Sequence, residues 1–220
     1  WLYLFSLGYA VFAGYYYGYM LCVASVVLFL MWYVESRYEA HPVYARSVWF
    51  NYLVASVAAG LLPAAVWLPA LFSISGGRLN QTSLADFSMA ENQSLGSFFD
   101  TFFIGANNTD ELVNGAPNVF CGALVLFLVI AFFLDKRNPV RTKMIRGIPL
   151  LFYFLTFYVK ALSMVVQGFS TTHWFNFRYS YVFSFLMIVI AFEEFVQIRE
   201  IDAKDFKRSI LLLTGIVVLT

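Results

Sequence analysis

The residues able to do chemistry in this sequence are few, and two of them are cations. Arg178 opens a long apolar run, residues 179–196, directly after the aromatic and polar stretch 167–176. A guanidinium stays charged at physiological pH and presents a planar fork of donors that matches two oxygens of a phosphate. At the mouth of a membrane helix it suits the phosphate of a lipid-linked substrate, and it equally suits an interfacial anchor. Lys160 lies inside another apolar run, 145–166, six residues before its end, or about 9 Å deep at a rise of 1.5 Å per residue. Its stem can snorkel part of that depth, yet a cation within a span is a functional hypothesis by default. A short segment joins the two helices, so Lys160 and Arg178 could both reach a phosphate or pyrophosphate at one headgroup layer. Snorkelling anchors and an internal ion pair are the open alternatives.

His173 and Trp174 lie in that connecting segment. The histidine, with an ordinary pKa near 6.5, offers a proton shuttle or a second donor to phosphate, or is a solvated loop residue. Trp174 offers a ring to stack on a sugar or serves the interfacial belt. Transfer of a group to a hydroxyl needs a carboxylate to take the proton or to hold a divalent cation. Asp100 and Asp86 are the acids placed for that, unless they are solvated loop acids. Glu193 and Glu194 lie about 22 Å from Arg178 by helical rise and belong to the far interface. There is no phosphate-binding glycine loop, no zinc-protease helix motif and no nucleophile elbow. Cys22 and Cys121 both fall in apolar segments and read as buried thiols; no metal-ligand spacing exists, and a divalent cation enters only as a possible cofactor of the carboxylate.

The elements that must position these residues are membrane helices. The chain is 61% hydrophobic, 20% aromatic and only 12% charged, against about 25% charged in soluble domains. The net charge of +1 does not indicate a nucleic-acid partner, because the basic residues sit in short loops between apolar runs. About 20 apolar residues cross a bilayer. That rule predicts an all-α polytopic bundle with about five full spans, 15–34, 47–72, 118–134, 145–166 and 177–198, and partial spans at 2–13 and 209–220. Gly14 and Tyr15-Tyr16-Tyr17 mark a tight turn at a membrane surface. Pro63 and Pro69 should kink the second span and leave room for a ligand.

Lys136, Arg137, Arg141, Lys143 and Arg146 in loop 135–146, and Arg199, Lys204, Lys207 and Arg208 in loop 199–208, predict a cytoplasmic side by the positive-inside rule. Loop 35–46 follows by alternation. Loops 73–117 and 167–176 are then extracellular. The first of these is long enough to be functional in its own right, and its stretch 95–104 is apolar enough for a short interfacial or re-entrant helix. Asn80-Gln81-Thr82, Asn92-Gln93-Ser94 and Asn107-Asn108-Thr109 match the N-glycosylation pattern, which matters only in a eukaryotic host. Trp1 starts inside one apolar run and Thr220 stops inside another, so the sequence, 1–220, reads as a single transmembrane domain that is an internal piece of a longer chain.

Three strings add a resemblance. Gly18-Tyr19-Met20-Leu21-Cys22, after its tyrosine cluster, resembles the "NFYIGYM" segment of the bacterial YfhO membrane protein family. Asn114-Gly115-Ala116-Pro117-Asn118-Val119-Phe120-Cys121-Gly122 is similar to that family's "NG-PNIYCG" entry into a helix. Gln167-Gly168-Phe169, continuing to Arg178-Tyr179-Ser180-Tyr181-Val182-Phe183-Ser184-Phe185, resembles its "WHGF…P-W-P-RYSF-FSF" segment. Arg178 and Tyr179 match residue for residue. Gln167 replaces the family's histidine, and Asn176 and the neighbourhood of Thr172 lack its prolines, which puts a histidine-dependent mechanism in doubt here.

The resemblance implies a C-type glycosyltransferase that uses an undecaprenyl-phosphate sugar on the outer face to glycosylate a teichoic-type polymer, lipoteichoic acid for example, in a bacterial cell membrane. On that reading Arg178, which matches the family string, would hold the phosphate, with Lys160 added from position and chemistry; Tyr179 from the string, and His173 and Trp174 from their chemistry, would contact substrate. Asp100, or an acid upstream of Trp1, would activate the acceptor. The rival readings are a lipid-linked substrate transporter or flippase partner without catalysis, and a structural membrane subunit with no ligand, surrounded by membrane lipids.

Overall fold

The computed structural model describes residues 1–38, 46–75, 95–102, 116–169 and 176–219, and these contain helices and no strand, so the fold is all-α. The helices in chain order are α1 (Leu2–Ala13), α2 (Tyr15–Ser36), α3 (Arg46–Leu61), α4 (Ala64–Ser75), α5 (Leu95–Asp100), α6 (Ala123–Leu134), α7 (Val140–Tyr158), α8 (Lys160–Val166), α9 (Ser180–Gln197) and α10 (Ala203–Leu219), with a 3₁₀ turn (Ile198–Glu200) after α9. They fall into two compact units, Trp1–Met89 with Lys160–Thr171, and Ala90–Val159 with Thr172–Thr220. Among the described residues two segments are each long and apolar enough to cross a membrane, Tyr15–Ser36 and Ser180–Glu200, and a bent pair, Ser47–Leu61 with Ala64–Ser73, makes a third if it is one span.

In the first unit α1 lies against α2, α3 and α4. The α1–α2 approach is so close at Gly18 that an added Cβ would stand 2.6 Å from the Cα of Val11. No other residue fits there, which gives the glycine of the Gly18-Tyr19-Met20 string a packing reason. The Tyr3 hydroxyl bonds with Ser56 at 2.8 Å and Ser25 at 3.2 Å, and Ser25 with Tyr52 at 3.1 Å, tying three helices together through polar groups. Phe29 stacks on Tyr52 with centroids 3.9 Å apart and planes 6° from parallel. Such interhelical contacts matter in lipid, where apolar association alone gains little.

The kink predicted at Pro63 is a full break: the two halves meet at 71°. Proline has no N–H to give and its ring collides with the preceding turn. The indole of Trp67 donates to the carbonyl of Gly60 at 2.7 Å and so satisfies an acceptor left at the break. Pro69, by contrast, sits inside α4 without ending it.

Two other predicted spans are shorter or interrupted. Helix α6 starts at Ala123, five residues later than 118–134 requires, because Gly122 holds φ at +99°, outside the right-handed helix. Its 12 residues cover about 18 Å. The span 145–166 is also not continuous. Its helix begins earlier, at Val140 after Pro139, and ends at Tyr158, where Val159 turns extended (φ −94°, ψ 110°). β-branched valine is at ease in extended backbone. Lys160 therefore opens a new seven-residue helix and does not sit inside a long one. That helix ends in a Schellman-type turn. The N–H of Phe169 donates to the carbonyl of Met164 at 2.8 Å, and Gly168 takes φ +75°, as the position after a helix C-cap demands.

In the second unit α9 packs on α6 and α7, and α10 on α6. Its core is aliphatic along α9 (Val182, Leu186, Met187, Ile190) and aromatic where Phe157, Tyr179 and Phe183 gather, all nearly inaccessible. Helix α5 falls within the stretch where a short helix is predicted. Phe98 anchors it, with ring centroids 5.1 Å from Phe154, 5.7 Å from Phe157 and 6.0 Å from Phe183.

Charges close one end of this unit. Arg137 donates to Asp135 through its backbone N–H at 2.9 Å and its Nε at 2.8 Å, and reaches the carbonyl of Gln197 at 3.2 Å and Glu200 at 3.4 Å. Asn138 bridges the carbonyl of Phe132 and the Oε2 of Glu194. Arg146 grips Glu193, Nη2 to Oε1 at 2.8 Å. Several basic residues read as loop charges are thus structural. Arg141, Lys143 and Arg146 lie on α7 itself. Burial alone would push the Asp135 carboxyl up, but the hydrogen bonds and charge of Arg137 outweigh it and hold Asp135 below the usual carboxylate value.

A carboxylate depressed in the folded state contributes stability that is complete above its unfolded pKa and is lost as pH falls through the folded one. The unit should therefore hold its stability down to about pH 5 and lose this contribution below about pH 4. Asp135→Asn should remove it at neutral pH. The guanidinium of Arg137 keeps 31% of its surface exposed, so the cost should be about 1–3 kcal/mol, less than for a fully buried pair. Denaturant unfolding in detergent checks both, and an Asp135→Asn protein as stable as wild type would contradict the pairing. Gly168→Ala should cost about 1–2 kcal/mol, from backbone strain alone, since an added Cβ would meet the Tyr19 ring at an ordinary 3.5 Å. The Asn variant should lose less, because asparagine tolerates that backbone. Equal stability of all three proteins in the same assay would refute the left-handed turn.

Candidate functional site

The first unit holds a half-open cavity of about 480 Å³, within the range of small-molecule sites. Its wall is built by elements already described. The end of α1 gives Val11, and the first turns of α2 give Tyr15, Tyr16, Tyr19 and Cys22. The Pro63 break gives Gly60, Trp67 and Leu71, and the turn after α8 gives Gln167, Gly168 and Phe169. Two sequence strings far apart in the chain meet here. The Tyr19 hydroxyl donates to the carbonyl of Val165 at 2.8 Å, and Gly168 lies over the Tyr19 ring. Phe169 follows Gly168 into the left-handed region, φ +57°. A non-glycine residue there costs roughly 1–3 kcal/mol, and such strain collects at functional sites.

Gln167, which stands where the resembling string has histidine, is buried at the head of this turn. Its Nε2 donates to Ser163 at 2.7 Å and its Oε1 accepts a long 3.5 Å bond from Tyr16. The residue therefore stitches α2 to α8 and carries no titrating proton. Among the described residues that line the cavity none is charged.

Arg178 belongs to the second unit and Lys160 to the first. Each is partly buried. Arg178 lies on the turn that leads into α9, where Ser180 N–H donates to the carbonyl of Phe177 and Val182 N–H to that of Tyr179. Tyr179 is fully buried. Its hydroxyl donates to the carbonyl of Thr156 at 2.8 Å, and its ring stacks on Phe157 at 5.4 Å and 11°. In this arrangement Tyr179 fixes the turn that presents Arg178, with its ring and hydroxyl packed against protein. Asp100 is exposed at the last position of α5. The neighbouring Thr101 hydroxyl bonds the carbonyl of Phe98. Beside the anchored Phe98 ring, Asp100 is thus a carboxylate on a fixed element. His173, Trp174 and Asp86 lie outside the described residues.

Sequence reasoning missed the cavity, although part of its signal was in view. It read the tyrosine cluster as a surface turn and Gln167-Gly168-Phe169 as an isolated string. Only the kink at Pro63, with room beside it for a ligand, pointed to this place. The pairing of residues 16–22 with 163–169 is long-range and leaves no local mark.

Comparison with known proteins adds one finding. No match is found among curated proteins or solved structures. The family model described as the bacterial membrane protein YfhO matches residues 1–220, the full length of the sequence. That match covers all three strings, including the two that fold against each other at Tyr19 and Gly168, and the chain belongs to the YfhO family of bacterial membrane proteins.

Proposed function

We propose that this protein is a membrane-embedded glycosyltransferase that takes sugar from a polyprenyl-phosphate donor on the outer face of the cell membrane and passes it to an envelope polymer such as teichoic acid. The observation that carries the reading is Arg178, a partly buried guanidinium on the rigid turn that opens an apolar helix, in a member of the YfhO family. A planar, always-charged donor set at that position is suited to a phosphate leaving group, whose negative charge grows as the glycosidic bond breaks. Tyr179 beneath it positions the turn. Lys160, His173 and Trp174 enter the proposal on residue chemistry: a second cation, a donor or proton carrier, and a stacking ring. Asp100, or an acid carried elsewhere in a longer chain, is the base for the acceptor hydroxyl, with a divalent cation as the alternative use of that carboxylate.

The proposal includes the topology that such chemistry requires: about five spans, with loops 35–46, 135–146 and 199–208 cytoplasmic and 73–117 and 167–176 outside. The broken pair α3–α4 counts as one span in it.

In proteoliposomes supplied with undecaprenyl-phosphate sugar and a teichoic acid acceptor, Arg178→Ala should lower transfer about 10²–10³-fold, the loss typical of one electrostatic donor to a developing anion. Arg178→Lys should lose less, keeping the charge without the fork. Transfer at the wild-type rate by folded Arg178→Ala would sink the assignment. Movement of the lipid across the bilayer with no glycosylated product would replace the enzyme by a transporter.

A further inference from the structure

The cavity of the first unit is rich in aromatic rings, a composition that suggests sugar stacking. Its hydrogen bonding says otherwise. The Trp67 indole N–H is spent on the carbonyl of Gly60, the Tyr19 hydroxyl on the carbonyl of Val165, the Gln167 amide on Ser163, and the Tyr16 hydroxyl on Gln167. These four polar side chains of the wall thus spend polar atoms on protein partners and leave mainly apolar surface to the space. A sugar held there would exchange its hydration for few hydrogen bonds, a cost of about 1–3 kcal/mol for each group left unmet. A phosphate would find no charged residue among the described residues of the wall. Much of the wall comes from α2 and from the broken α3–α4 pair, apolar segments that meet the length and hydropathy of membrane spans. Tyr15, Leu71 and Phe169, 42%, 48% and 47% exposed, bring the lining out to the surface of the unit.

We propose that this cavity is the binding site for the prenyl chain of the lipid-linked donor, separate from the groups that recognise its phosphate. This rests on the donor reading above. The flat, unsaturated, methyl-bearing isoprene units lie against ring faces such as Tyr16, Tyr19 and Trp67, a surface that a saturated acyl chain matches less well. Gly60 is the open point of the wall: an added Cβ would meet nothing within 4 Å. Cys22 places a thiol on the same wall.

The test uses that thiol. The protein has two cysteines, neither in a disulfide, so Cys121→Ser leaves Cys22 as the sole site for N-ethylmaleimide in nanodiscs. Undecaprenyl phosphate at about ten times its Kd should slow alkylation about elevenfold by mass action, while inorganic phosphate should leave the rate unchanged. Gly60→Leu, which fills the space without a backbone clash, should abolish this ratio, and Leu71→Trp gives a second way to fill it should the first variant misfold. An unprotected Cys22, equal protection by dioleoyl phosphatidic acid, or protection that survives both filling variants would overturn the proposal. Protection of Cys22 in a protein that shows no sugar transfer would uphold the prenyl site and remove only the enzyme. Sugar transfer with Cys22 unprotected would do the reverse.

Discussion

The structure turns on how a chain in an apolar environment accounts for its backbone where helices stop. Water is not there to satisfy a freed carbonyl or N–H, so each interruption must find its own partner or be abandoned. At Pro63 the partner is the indole of Trp67. After α8 it is the turn through Gly168, with the N–H of Phe169 returned to Met164. These two interruptions also border the cavity, and that is no accident of geometry. Unbroken helices pack by filling each other's grooves, whereas a 71° bend withdraws one half of a span from its neighbours and leaves space. The same side chain that satisfies the break, Trp67, then forms the wall of the space the break creates.

How much of this was legible in the sequence follows from the range of the interactions involved. Hydropathy found α2 and α9, whose limits come from long runs of like residues. Proline placed the bend at residue 63, a local steric effect. What failed was local too, but weaker than the hydropathy around it. One glycine at 122 with positive φ and one extended valine at 159 shorten or split spans that composition alone would carry through. The charged end of the second unit was read for sidedness. In the fold, Arg137 is held by its near neighbour Asp135 and by Glu200, and Arg146 by Glu193; the two glutamate pairings link residues tens of positions apart.

For the site the division is similar. Arg178 stood out because a charge at the head of an apolar run needs no partner to be noticed. Tyr179 matched a family string, yet only the fold shows its hydroxyl on Thr156 and its ring on Phe157, which makes it a support for the arginine. The aromatic cavity was invisible because residues 16–22 and 163–169 meet only after the chain has folded back over more than a hundred positions.

A chain site inside a membrane protein works under an unusual energetic rule. Removing hydrocarbon from water drives binding by about 25 cal/mol per Å², but a prenyl chain that leaves the bilayer for a protein cavity leaves a medium as apolar as leucine. Little of that driving force remains. What the cavity can supply is dispersion and ring contact of the right shape, small for each atom pair and larger when summed over a chain. A site of this kind therefore selects among lipids more than it gathers them. Affinity must come from a group that interacts with the head more strongly than water and lipid do, and a guanidinium facing a phosphate at the membrane surface is such a group. On this reasoning recognition of the chain and recognition of the phosphate are separate tasks. For the proposed donor, ring contacts would then set which chain is accepted, and the strength of the phosphate contact would set how long it stays.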